Sequence, residues 1–298
     1  MYGEPEGFDY DYPLWRPPSE GDNLIIQATL GCSWNRCRFC SMYRAKRFQA
    51  RPQDLVLAEI EAWGRSWPEA RRVFLADGDA LALPTGHLAA ILEKLAATFP
   101  ELNRVSCYAL PGNLLRKSVE ELASLRALKL SLVYLGIESG SPGILKRIAK
   151  GVTQRQMIEA LGKPRQAGIK ISATVVLGLG GRAKWQEHVD GTIAVVNAAP
   201  PEFLSTLQLG VAAEVVGDFE RAWPDGFEFQ DDLGMLAEQE RLIAGLDPKH
   251  PVIFRSNHAS NALALAGTLP KDREKLLAQL AQARAGGRPL RARGSRGL

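Results

Sequence analysis

Short apolar runs rich in β-branched residues alternate along the chain with longer stretches whose apolar positions recur every three to four residues. The runs lie at 24–30, 73–75, 104–108, 132–137, 169–177, 203–209 and 252–254. They are continuous, which is the pattern of strands covered on both faces, as in a parallel sheet. Helical segments fall between them, near 53–64, 87–98, 118–128, 142–149, 154–167 and 184–198. Ser118 followed by Glu121, and Thr153 followed by Gln156, have the spacing of reciprocal helix caps. Pro142 suits a first helical turn and Gly168 a helix stop. Six alternations of strand and helix predict one α/β domain, either a full or partial barrel or a doubly wound sheet. Residues 212–250 are less regular and read as an insertion or lid; 271–284 read as a last helix.

The chain has 298 residues, of which 46% are hydrophobic and 23% charged. That is a globular composition, and it excludes disorder as the main state. No run reaches the roughly 18 apolar residues of a membrane span. Residues 1–22 carry six acids and one base, the opposite of a secretory signal, so a reducing cytoplasm is expected. The net charge of +4 is smaller than the five arginines between 276 and 298, so the basicity belongs to the tail. A solvated, disordered end is the plainer reading of that tail, and a weak RNA or anion contact the sharper one. The expected organisation is an N-terminal extension (1–22), a core (23–235), a C-terminal extension (236–284) and a disordered basic tail (285–298).

The strongest chemical signal follows the first strand. Cys32, Cys37 and Cys40 stand in a C-x4-C-x2-C spacing. Three close thiols suit soft metals, zinc or an iron–sulfur cluster. A structural zinc site takes four ligands, and no fourth Cys or His lies nearby. Three ligands on a [4Fe–4S] cluster leave one iron open. Buried structural cysteines, or zinc with a distant fourth ligand, are the competing uses of the same residues.

With these residues in place, the sequence resembles the radical S-adenosylmethionine (radical SAM) superfamily. That family carries a three-Cys loop after the first strand of a partial (β/α)6 barrel, usually as C-x3-C-x2-C with an aromatic before the last Cys. Phe39 takes that place, and the first gap is one residue longer. Asp77-Gly78-Asp79 stands where the family has a Gly-Gly-Glu-like turn that holds the SAM amino group. Gly136-Ile137-Glu138-Ser139-Gly140-Ser141, running on to Lys150-Gly151-Val152-Thr153, resembles the branch of the methylthiotransferases, the oxygen-independent coproporphyrinogen oxidase and the Elongator catalytic subunit. In that branch the strand-end Glu contacts SAM. Val176-Leu177-Gly178-Leu179-Gly180-Gly181 stands where the family backbone meets the adenine, with Thr174 beside it.

The resemblance implies a TIM-like partial (β/α)6 barrel with a short C-terminal extension. It implies Cys32, Cys37 and Cys40 as cluster ligands, and Phe39, Asp77, Gly78, Asp79, Glu138, Ser139, Thr174 and Gly178 as SAM contacts. The cofactors would be a [4Fe–4S] cluster and SAM, and the reaction reductive cleavage of SAM to a 5′-deoxyadenosyl radical that abstracts hydrogen. A reductant such as flavodoxin or ferredoxin would be the partner. With no second Cys cluster in the sequence, a small-molecule or compact substrate is expected, nucleic acid being disfavoured without being ruled out. A cluster or zinc module without SAM cleavage, and non-homolytic use of SAM, remain open as alternatives.

Further candidates rest on position alone. Tyr43 and Arg44 lie in a basic stretch, 36–51, that would offset the charge of a cluster and of the SAM carboxylate. Arg255, Asn257, His258 and Asn261 follow the last expected strand, as substrate contacts or, for His258, a proton donor. Cys107 ends the third expected strand and would be a hydrogen-atom donor or radical relay, against the plainer reading of a buried thiol.

Overall fold

The computed structural model describes residues 7–296. All seven expected strands form: β1 (Leu24–Gln27), β4 (Arg72–Ala76), β5 (Arg104–Tyr108), β6 (Leu130–Glu138), β7 (Lys170–Leu177), β8 (Phe203–Gln208) and β9 (Val252–Arg255). With β10 (Ala266–Leu269) they make one sheet in the order β1-β4-β5-β6-β7-β8-β9-β10, while β2 (Thr29–Leu30) pairs with β3 (Gln49–Ala50). The helices are α1 (Gln53–Ser66), α2 (Thr85–Thr98), α3 (Pro111–Arg116), α4 (Val119–Ala127), α5 (Pro142–Arg147), α6 (Gln154–Gln166), α7 (Gly181–Ala198), α8 (Ala213–Glu220), α9 (Asp232–Gly245) and α10 (Arg273–Arg284). Strand and helix thus alternate as the pattern predicts. The expected boundary at 235/236 falls inside α9. By contacts the chain forms two compact units, one of residues up to Asn35, Met42–Leu135 and Lys163–Lys170, the other of Arg36–Ser41, Gly136–Gly162 and everything from Ile171.

In the first unit β1, β4 and β5 pair in parallel, with Leu24 beside Val73 and Leu75 beside Cys107. In α2 the stripe Leu88, Ile91, Leu92 and Leu95 is fully buried, the 3.6-residue period that made the segment legible. The Ser118–Glu121 cap forms reciprocally, at 2.8 and 3.1 Å. The N-terminal segment is integrated into this unit. Tyr10 and Leu14 pack on Ile25, Phe74, Ala76, Tyr108 and Tyr134, and the Tyr10 hydroxyl donates to the Ile25 carbonyl at 2.8 Å. Glu20 is fully buried and accepts both 3.0 Å bonds from Arg104 Nη2, together with the Tyr134 hydroxyl. A carboxylate there needs those partners, because an unpaired buried charge costs several kcal/mol.

In the second unit β7, β8 and β9 pair in parallel and β10 turns back antiparallel on β9. Gly140 and Gly191 of α7 meet backbone to backbone. A Cβ on Gly140 would lie 2.1 Å from the Gly191 carbonyl oxygen, and one on Gly191 would lie 2.6 Å from the Ser141 nitrogen. Glu238 of α9 is buried and accepts the Gly178 N–H at 2.7 Å and the Gln230 side chain at 3.2 Å. The segment before α9 gathers Phe219, Trp223, Phe227 and Phe229, with the Arg147 guanidinium 4.8 Å from the Trp223 ring.

The described part of the tail is largely exposed, and Arg291 and Arg296 also bond residues earlier in the chain. Arg291 N–H donates to the Ala262 carbonyl at 2.8 Å, and Arg296 grips Asp232 through two 2.8 Å bonds. Its side chain is only 7% exposed. The fork holds the Asp232 carboxyl below the usual carboxylate range. The expected RNA or anion contact of the tail would compete with this pair. Residues 297 and 298 of the expected tail, and 1–6 of the N-terminal extension, lie outside the described residues.

Two outcomes follow from this packing. Gly191→Ala forces backbone apart and should destabilise by about 1–3 kcal/mol, read as a lowered thermal midpoint. Glu238 is pushed up to about 7 by burial, above its ordinary 4.5, so its contribution is full below pH 4.5 and is lost as pH rises through 7. His188, pushed down to about 4 by burial, runs the opposite way and loses stability as pH falls below 6.5. Glu238→Gln should therefore match the native chain near pH 4.5 and exceed it by up to ~3 kcal/mol at pH 8. Melting curves at the two pH values check this; equal gaps at both would refute it.

Candidate active site

The cysteine loop begins where β2 ends. Asn35 takes a left-handed conformation (φ 39°), and its side-chain amide donates to the Tyr43 carbonyl at 2.7 Å and the Lys46 carbonyl at 3.2 Å. Asn tolerates that conformation better than most residues, so the reversal inside the four-residue gap has a local cause. The Asn35 N–H points at Cys32 Sγ, 3.5 Å away.

The end of β4 holds this stretch with two carboxylates. Asp77 Oδ2 accepts the Gly31 N–H at 3.1 Å and Lys46 Nζ at 3.0 Å. Asp79 accepts from the Ser33 hydroxyl and the Asn113 amide. Both are fully buried, and burial raises both carboxyls, Asp79 to about 7. The expected turn at Asp77–Asp79 is present, but these side chains bind the residues flanking Cys32. Gly78 lies under the Tyr43 ring; a Cβ there would sit 2.5 Å from Tyr43 Cε2.

In that packing Tyr43, read from the sequence as substrate-facing, lies buried against Gly78. Its ring is buried, and burial followed by the Asp77 charge pushes its hydroxyl far above the normal tyrosine range. Arg44 is half-buried. Cys107 is fully buried, and its thiol is pushed up by burial and by Asp79. It is kept protonated in the core, a state that fits both a buried thiol and a hydrogen-atom donor.

In the second unit, the Arg38 N–H donates to the Ile148 carbonyl at 2.9 Å, and Cys40 N–H to the Cys37 carbonyl at 3.2 Å. Both anchors belong to the loop's own backbone, so they set its path whatever the thiols bind. Phe39 packs against a cluster of Ile144, Ile148, Val176, Leu179, Phe219 and Trp223. Cys32, Cys37 and Cys40 are all half-buried thiols. Among the described residues, no three His, Cys, Asp or Glu side chains already stand as a metal site.

Lys150 is the charged group beside the last two cysteines. Burial works against its ammonium, but the Glu138 carboxylate and the Cys37 and Cys40 sulfurs outweigh that and hold it above the usual lysine range. Its Nζ bonds Glu138 Oε1 at 2.9 Å. Glu138 is left-handed (φ 62°), an uncommon state for a residue other than glycine. Ser139, expected to contact SAM, is fully buried with its hydroxyl 2.8 Å from His188 Nδ1. Gly178 is left-handed (φ 88°), and its N–H is taken by Glu238. Thr174 is half-buried in mid-strand, beside Ser205.

The loop after β9 divides in the same way. Asn261 is 1% exposed; it accepts the Gln208 N–H and donates to the Thr206 carbonyl and the Ser256 hydroxyl. It stitches the loop to β8 through these bonds. Arg255 lies over the Phe203 ring at 5.1 Å, Asn257 is exposed, and half-buried His258 meets the Ser260 hydroxyl at 2.8 Å. Burial lowers the His258 pKa. Sequence reasoning missed Lys46, Lys150, His188 and Glu238 as contributors. Only Lys150 carried a signal, its place in the block that follows Glu138.

The family described as "Radical SAM superfamily" matches residues 26–190, more than half of the chain. A protein named "Putative methylthiotransferase" from Methanocaldococcus jannaschii is 27% identical over 187 residues, covering 57% of this chain and 40% of that protein. An "Uncharacterized methyltransferase" from Pyrococcus horikoshii is 26% identical over 174 residues, covering 57% and 35%. The chain thus spans less than half the length of these relatives. Among solved structures, coproporphyrinogen III oxidase of Escherichia coli, described as a radical SAM enzyme, superposes with a TM-score of 0.59 at 15% identity over 74% of this chain and 52% of that one. The radical SAM methyltransferase TsrM of Kitasatospora setae, solved with cobalamin and a [4Fe–4S] cluster, gives 0.55 at 16% identity over 88% and 61%. These structural likenesses show a shared fold. With its three-Cys loop and alternating α/β topology, the chain belongs to the radical SAM superfamily, a family of enzymes that use SAM.

Proposed function

We propose that Cys32, Cys37 and Cys40 hold a [4Fe–4S] cluster and that the chain cleaves SAM reductively to act on a small or compact substrate. The observation that carries this is a set of three half-buried thiols, two of them beside an ammonium held in its charged form. The donor set fits: thiolates are the ligands such clusters take, and three of them leave one iron free. When bound, the cluster supplies the electron that splits SAM into methionine and a 5′-deoxyadenosyl radical, which removes hydrogen from the substrate.

The chain's own residues do the rest. Lys150 offsets the negative charge of Cys37 and Cys40, while Glu138 holds Lys150 in place. Arg38, bonded to Ile148, fixes the path of the loop, and Phe39 seals it against an apolar cluster that excludes water. Asp77 and Asp79 tie down the residues on either side of Cys32. Arg255, Asn257 and His258, at and after the end of β9, are the residues with polar groups to offer a substrate. A flavodoxin- or ferredoxin-type protein is the proposed electron donor. No helix among the described residues is long and apolar enough to cross a membrane.

Anaerobic reconstitution should load about four iron and four sulfide per chain. Dithionite and SAM should then release 5′-deoxyadenosine, seen by chromatography, and Cys37→Ala should abolish both. A single zinc in place of iron would overturn the assignment. Lys150→Met removes a cation beside two thiolates, so the cluster's midpoint potential should move more negative at unchanged iron content. Redox titration followed by paramagnetic resonance checks the direction of that shift.

A further inference from the structure

Four side chains from two helices, α6 and α7, bind the turn that follows left-handed Glu138. The Gly140 N–H donates to Thr192 Oγ1 at 2.9 Å, and the Gly140 carbonyl accepts from Gln154 at 2.8 Å. The Ser141 hydroxyl donates to Glu187 at 2.6 Å and accepts the Ile144 N–H at 3.2 Å. The Ser139 hydroxyl accepts the Ser141 N–H at 3.1 Å and lies 2.8 Å from His188 Nδ1. Glu187, His188, Gly191 and Thr192 lie on one face of α7, and Gly191 gives that face its close approach.

The proton on the Ser139–His188 bond can be assigned. Ser139 is fully buried, and no other acceptor is bonded to its hydroxyl. Were Nδ1 the donor, that hydroxyl hydrogen would be left without an acceptor, at a cost of about 1–3 kcal/mol. So Ser139 donates and Nδ1 accepts, which needs a neutral ring protonated at Nε2. Nε2 forms no hydrogen bond, and the Val176 backbone also bears on the ring. Burial of the ring agrees with the neutral form.

We infer that His188 is a positioning residue: by accepting from Ser139 it locks the turn that keeps Glu138 left-handed and bonded to Lys150. An uncommon backbone state persists only where its surroundings over-determine it, and here α7 and α6 supply that grip. The strand end is thereby set before any ligand arrives, which lowers the ordering cost of binding. The consequence for SAM rests on the functional reading above; the grip on the turn does not.

The test uses the reconstituted full chain and three variants. His188→Leu removes the acceptor; His188→Asn replaces it with an oxygen at the place of Nδ1; Ser139→Ala removes the donor. SAM affinity is read from the change SAM makes in the paramagnetic resonance of the reduced cluster, and the turn from hydrogen exchange of the Gly140 and Ser141 amides. His188→Leu and Ser139→Ala should each weaken SAM binding about tenfold and speed exchange at both amides, with iron content unchanged. His188→Asn should recover most of both. The inference is overturned if His188→Leu leaves both amides protected, or if His188→Asn behaves no better than His188→Leu. Should the native chain bind no SAM at all, the functional reading falls, and amide exchange alone still decides whether His188 holds the turn.

Discussion

The thiol-bearing loop makes few bonds within itself, Cys40 N–H to the Cys37 carbonyl among them, so groups outside it fix much of its shape. Here the imposing groups are buried ions. Asp77 and Asp79 reach from the end of β4 to Gly31 and Ser33, on either side of Cys32. Each carboxyl is raised by burial, so each is under pressure to neutralise, and each is kept useful by donors aimed at it. Lys46 plays that part for Asp77, with Asp11 as its second partner. Asn113 plays it for Asp79, and Arg116 in turn braces Asn113. The ends of the strands serve as anchor points for a segment with little regular structure of its own.

The same logic organises the second unit. A left-handed glutamate, a glycine pair in backbone contact and a buried histidine are costly alone and consistent together. Glu138 offers its carboxylate to Lys150 only because the residues after it are held on α7 and α6. Lys150, in turn, remains charged in a buried place because that carboxylate and two sulfurs face it. What varies between the units is the source of the grip: carboxylates in the first, hydroxyls and an imidazole in the second.

Much of this is legible in the sequence, and the rest has a common reason for being hidden. Strands and helices announce themselves by period, so all seven apolar runs become strands, and the Ser118–Glu121 cap forms as its spacing says. Thiols in a tight cluster announce themselves by identity. Polar pairs distant in the chain announce nothing: no local pattern links Asp232 to Arg296, Gly178 to Glu238 or Ser139 to His188. For that reason the sequence offers Tyr43, Ser139 and Asn261 as ligand contacts and says nothing of the packing and bonds each makes in the fold. The arginine tail is a like case: its composition says nothing of the fork between Arg296 and Asp232.

The division of the chain into units has a consequence for the order in which it is made. Ser19 and Glu20 bond Tyr134, which is made more than a hundred residues later. Lys163 closes the same unit by bonding the carbonyls of Leu115 and Lys117. Arg38 waits just as long for Ile148. A nascent chain on the ribosome therefore carries Cys37 and Cys40 without the Ile148 anchor for as long as the intervening residues take to be made, at ~5–20 residues per second. During those seconds the thiols depend on the cell's reducing capacity and its chaperones rather than on the fold.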